Sequence, residues 1–170
     1  KLVVQTDVIK RAWGPEQEKG EPDTRKAGDI QTAWASATED AEGEWLELEY
    51  ADSIMPVEIH VYETYNPGAV CEIIGYTASG MEAQLWVGED PTSPDESKGV
   101  SVVRVTAHVK TKRIRIILKS EEVAGWNEID AVGIKDVDGE MHWAVRASAS
   151  STFAERGGGL IGPVVIEAFR

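Results

Sequence analysis

Hydrophobic and polar positions alternate with a period of two along most of this chain. In "EWLELEY" Leu46, Leu48 and Tyr50 fall on one face and Glu47 and Glu49 on the other. "VEIHVYE" sets Val57, Ile59 and Val61 against Glu58, His60 and Tyr62, and "KRIRIILK" groups Ile114, Ile116 and Leu118. "VSVVRV", "EIDAVGI", "HWAVRASA" and "PVVIEAF" are further short runs rich in β-branched residues, the residues that suit a pleated, half-buried surface. Turn residues separate the runs at "NPGA", "ASGM", "GEDPTSPDESKG", "DVDGE" and "ERGGG". The pattern predicts an all-β fold, a jelly-roll β-sandwich of about eight or more antiparallel strands with long loops. Helical turns are expected only around "PDTRKAGD" and "SEEVAG". The polar, Pro/Gly-rich stretch "WGPEQEKGEPDTRKAGD" predicts a long first loop that something has to pin. "VRASASSTFAE" reads as a closing strand, the alternative being the start of a following segment.

Composition narrows the function classes. The 170 residues form one domain, residues 1–170, long enough to bury a core without staples. A formal charge of −13 repels phosphate backbones and anionic lipid, so neither nucleic acid nor membrane insertion is expected. There is no long apolar span, and the opening "KLVV" without Met reads as a mature or trimmed form. Cys71, the single cysteine, excludes an internal disulfide and reads as a buried, inert thiol.

Catalytic chemistry finds no support. His60, His108 and His142 sit in separate runs without metal-ligand spacing and read as surface histidines. With 30 acidic residues, carboxylate pairs arise by abundance alone. No nucleophile elbow, phosphate loop or Ser/His/Asp order is present, so the domain reads as non-catalytic.

"AGDIQTAWASATEDAEGEWLELEY" is more specific: Gly-Asp, a Thr, a Trp two residues on, then a Trp-started alternating strand. With "ASGMEAQLW", "RIRIIL" and "NEIDAVGI" following in order, residues 20–136 resemble discoidin-like domains, also called coagulation factor type C or galactose-binding-like domains, which include many carbohydrate-binding modules. "ETYNPGAV" with "GWNEIDAV" resembles a narrower branch, found in large secreted or envelope proteins of environmental bacteria and in the discoidin-like part of an animal F-box/leucine-rich-repeat protein. Residues 137–170 then supply closing strands or begin a following segment.

The resemblance implies a structural calcium tying the first loop to the last long strand, with Asp29, Thr32 and Glu128 as ligands. Ala27 stands where the family has its first Asp. It also implies a non-catalytic carbohydrate-binding module of a larger protein, extracellular, periplasmic or in the cell envelope, with a glycan or a neighbouring protein domain as partner. The alternative is a protein-interaction or structural module of the same fold. Trp34 and Trp45 are expected in the core. Glu63, Tyr65 and Asn66, leaving the sheet before a Pro67–Gly68 turn, form one lip of the expected site, and Trp126 and Asn127 the other. The competing reading has these residues simply fixing the turn and covering the end of the sandwich.

Overall fold

The computed structural model describes residues 10–156. Nine strands follow in order: β1 Trp45–Ile54, β2 Pro56–Tyr65, β3 Val70–Tyr76, β4 Glu82–Val87, β5 Gly99–Arg104, β6 Thr111–Leu118, β7 Glu128–Asp136, β8 Met141–Trp143 and β9 Arg146–Ala149. They make a five-stranded sheet, β4-β3-β6-β1-β9, and a four-stranded sheet, β5-β2-β7-β8. Every ladder is antiparallel, and the chain changes sheet between most successive strands, giving the expected sandwich.

The alternation read from the sequence is largely the alternation of burial, except that Val57, at the register shift between Pro56 and Glu58, is only half-buried. Leu46, Leu48, Tyr50, Ile59, Val61, Ile114, Ile116 and Leu118 all point inward. Each such side chain contributes about 1.5–3 kcal/mol on leaving water. Tyr50 keeps its hydroxyl satisfied by donating to the Val132 carbonyl at 3.0 Å. Trp34, completely buried, joins this core from the first loop, its N–H and C=O both pairing with Ile129.

Several expectations need correction. Trp45 is half-buried on the outer face, where the Arg115 guanidinium lies 4.3 Å over its ring. Its odd position already shared the face of Glu47, which bridges Arg113 and Arg115 at 3.0 and 2.8 Å. Cys71 is half-buried rather than buried; its thiol donates to the Ile117 carbonyl, and burial raises its pKa. "PDTRKAGD" contains no helical turn, while "SEEVAG" holds a 3-10 turn at Ser120–Glu122 and another lies at Pro15–Glu18. β9 closes the five-stranded sheet beside β1, as the closing-strand reading has it, and a short helix α1, Phe153–Arg156, follows. "PVVIEAF" lies outside the described residues. Among the described residues, no helix is long and apolar enough to cross a membrane.

The long first loop is pinned by the protein's own groups. The Lys10 ammonium donates to the carbonyls of Gln17 and Lys19 at 3.3 and 3.1 Å. Thr24 gives both its N–H and its hydroxyl to Asp130 on β7, at 3.0 and 2.8 Å. The Gly28 N–H reaches the Thr64 carbonyl, and the Thr152 hydroxyl donates to the Trp13 carbonyl.

Candidate functional site

The two expected lips meet, and they meet by bonding to each other. The Asn66 amide donates to the Trp126 carbonyl at 3.0 Å, and the Asn127 amide donates back to the Asn66 carbonyl at 2.7 Å. Asn66 takes a positive φ of 41°, and Gly125 one of 89°; a Cβ on Gly125 would stand 2.6 Å from the Asn66 amide nitrogen. Asn127 is buried, its side-chain oxygen without a hydrogen-bond partner.

Glu63 is buried at the end of β2 and closes the turn from inside. One carboxylate oxygen accepts the Gly68 N–H at 3.0 Å and the other the Ser101 hydroxyl at 2.7 Å. Gly68 has the positive φ expected of it, 104°, with the Pro94 backbone 2.9 Å from where a Cβ would be. Burial and the nearby Asp90 carboxylate hold the Glu63 carboxyl well above the ordinary range. Tyr65 is half-buried at the last position of β2, paired with Glu128 in register. The Glu63 carboxyl and the amide N–H groups of Asn66 and Asn127 therefore serve to fix the loop junction.

Trp126 turns the other way. Half-buried, it donates its indole N–H to the Ser36 carbonyl at 3.1 Å and sets its ring edge-on to Phe153, centroids 5.7 Å apart. Phe153 also meets Trp13 edge-on at 5.3 Å. These three aromatic residues, with Ala35, Asp29 and Glu128, line a cavity of about 100 Å³. Asp29 accepts the Trp13 indole N–H at 2.8 Å, and Glu128, buried at the start of β7, accepts the Ile30 N–H at 3.2 Å. Burial, then the adjoining Asp29 carboxyl, pushes the Glu128 pKa up to about 8. The fold thus joins in one cavity three residues that the sequence assigned to two sites: Trp126 to the rim, Asp29 and Glu128 to calcium.

Thr32 lies in a different cluster. Its hydroxyl shares a hydrogen bond with that of Thr24 at 2.6 Å, and Thr24 leads on to Asp130. Beside them Glu18 is fully buried; one oxygen accepts the Trp34 N–H at 3.1 Å and the other has no partner. Burial, the Asp130 charge and the Asp23 charge raise its pKa well above the ordinary value, against the Lys10 ammonium and the Trp34 N–H.

Trp13 and Phe153 escaped the sequence reading. Each is an isolated large aromatic in a polar stretch, "RAWGPE" and "SSTFAE", and that isolation was the available signal. Of the histidines, His108 is exposed and His60 pairs with Glu58 at 2.9 Å. His142 pairs with Asp136 at 2.7 Å near Glu140, on a hairpin turn that Asp136 already caps through the N–H groups of Asp138 and Glu140.

Comparison with known proteins gives two findings. The chain is 31% identical over 107 residues to the F-box/LRR-repeat protein 4 of Bos taurus, an alignment covering 55% of this chain and 17% of that protein. The chain therefore spans only a small part of that relative's length. Residues 4–144 match the family model described as "PAPPA: Pappalysin-1, SD scarf domain, C-terminal", and since that is most of the chain, the protein belongs to this SD scarf domain family.

Proposed function

We propose that this domain is a non-catalytic, discoidin-like binding module that takes a carbohydrate in the cavity walled by Trp13, Trp126 and Phe153. The observation carrying this reading is the convergence of three aromatic residues and two carboxyl groups on one concavity. Sugars offer a C–H face to aromatic rings and hydroxyls to carboxylates, and sites of this kind are apolar concavities with a few placed polar groups. The match to part of a much longer relative fits a module within a larger protein.

Calcium is left out of this reading. Of the three ligands the resemblance implies, Asp29 and Glu128 adjoin one another, whereas the Thr32 hydroxyl is committed to Thr24. The rest of the lining is aromatic apart from Ala35, and Ca²⁺ takes six to eight oxygens. That set does not fit the ion. Replacing EDTA with excess calcium is expected to shift the melting temperature by less than about 1 °C, under roughly 0.5 kcal/mol at this chain length. A shift of many degrees would restore the ion as the loop's pin.

A protein-docking reading rests on a separate feature, Val100 and Val102, each 42% exposed on edge strand β5. The two readings separate on a panel of soluble oligosaccharides and polysaccharides followed by intrinsic tryptophan fluorescence. Saturable changes with at least one glycan, weakened in Trp126→Phe, are expected. Silence across the panel from the folded protein would remove the carbohydrate reading and leave docking.

A further inference from the structure

We propose that the group entering the Trp13–Trp126–Phe153 cavity is a substituted ammonium, so that the glycan bound here carries unacetylated amino sugars. The inference rests on the carbohydrate reading above and names the chemistry of its ligand.

Three observations lead to it. First, among the described residues the cavity lining holds two carboxyl groups, Asp29 and Glu128, and no Lys, Arg or His. Glu128 is 1% exposed and Asp29 is exposed, in a protein of formal charge −13. Two adjoining carboxyl groups favour a ligand that brings a positive charge, which would also draw off the proton that Glu128 keeps up to about pH 8.

Second, the rings have little left to donate. The Trp13 indole N–H is bonded to Asp29 and the Trp126 indole N–H to the Ser36 carbonyl. What these residues, together with Phe153, offer a ligand is π surface and ring edges. A cation over aromatic faces is attracted by the ring quadrupole, most strongly by Trp, whereas a sugar hydroxyl finds no donor on these rings.

Third, the dimensions select a head group. At about 100 Å³ the concavity is well below the roughly 300 Å³ and more of a pocket that encloses a whole ligand, and suits a substituted nitrogen and its attached carbons. The sugar ring would then stay at the mouth with its amino group inside. A metal cation meets only the two carboxyl groups among the lining side chains, too few oxygens for the six to eight that calcium takes.

Titration calorimetry on the full chain at pH 7 tests this with three β-1,4-linked oligosaccharides of equal length: glucosamine, N-acetylglucosamine and glucose oligomers. The three share ring shape and differ at C2. The glucosamine oligomer is expected to bind about tenfold or more tightly than the other two, with choline chloride competing. Trp126→Phe and Asp29→Asn should each weaken the glucosamine oligomer several-fold, provided their far-ultraviolet spectra match the parent. Equal affinity for all three would overturn the ammonium assignment while leaving the carbohydrate reading in place. Binding of none of the three, nor of any other glycan on the panel, would overturn both. Preference for glucosamine that persists unchanged in both variants would overturn the location.

Discussion

Replacing Trp34 with alanine is expected to lower the stability of the domain by about 3–5 kcal/mol, measured by chemical denaturation. The side chain is wholly buried, and its indole N–H donates to the Ser151 carbonyl at 3.1 Å, tying the first loop to the segment after β9. The backbone of the same residue bridges to Ile129 and donates to Glu18, so the void would open where the loop, β7 and the core meet. Trp126→Ala is expected to cost well under half as much. It is half-buried and loses one hydrogen bond, to Ser36, and one ring contact, with Phe153. Equal losses for the two variants would mean that Trp126 is core, and the cavity beside it a packing defect.

The second large effect is a stability that falls as pH rises. Glu18 and Glu63 both have folded-state pKa values raised by burial, reinforced by Asp130 and Asp23 at Glu18 and by Asp90 at Glu63. The Lys10 ammonium and the Trp34 N–H oppose the rise at Glu18, as the Ser101 hydroxyl and the Gly68 N–H do at Glu63, without reversing it. Above the ordinary Glu value of 4.5 the unfolded chain releases these protons while the folded protein keeps them. Stability is then fully present below that value and is lost as pH climbs toward the raised values. A tenfold difference in proton affinity between folded and unfolded states is worth about 1.4 kcal/mol, so these two groups, with Glu128 at about 8 acting in the same direction, make a difference a melting curve resolves easily. The melting temperature at pH 5 is expected to exceed that at pH 8 by many degrees, and Glu18→Gln should flatten the profile. A melting temperature that is level or rises from pH 5 to pH 8 would refute the assignment of these two carboxyls.

How much of this was legible in the sequence follows from range. The strands were legible because their parity is local: Leu46, Leu48 and Tyr50 declare an inner face in five residues, and the structure buries all three. Trp45 shows the same rule ignored, since its position shares the face of Glu47 and not that of Leu46. That "ETYNPGAV" and "AGWNE" lie together was also legible, through the resemblance that pairs them. Which way their side chains point was not. Asn66 and Asn127 face each other because each loop leaves a carbonyl that the other's amide can reach, a matter of three-dimensional closure.

The first loop was the least legible part. Its path from Lys10 to Glu44 has no regular strand to impose a period, and it is set by bonds such as Thr24 to Asp130, 106 residues apart. Trp13 reaches the cavity by that path, and Phe153 reaches it from beyond β9. No window of sequence contains both. The candidate site was therefore half visible, as Asp29, Trp126 and Glu128 assigned to separate tasks, until the fold placed them around one cavity.

The most direct test of that cavity is a ¹H–¹⁵N correlation spectrum of the indole N–H region during titration with the oligosaccharides described above. The chain has six tryptophans and hence six indole signals. The account predicts that the signals of Trp13 and Trp126 move together and saturate together, while those of Trp34, Trp45, Trp86 and Trp143 stay within the line width. Saturable movement confined to Trp45, Trp86 or Trp143, with Trp13 and Trp126 unmoved, would place the binding site on another face and contradict the account.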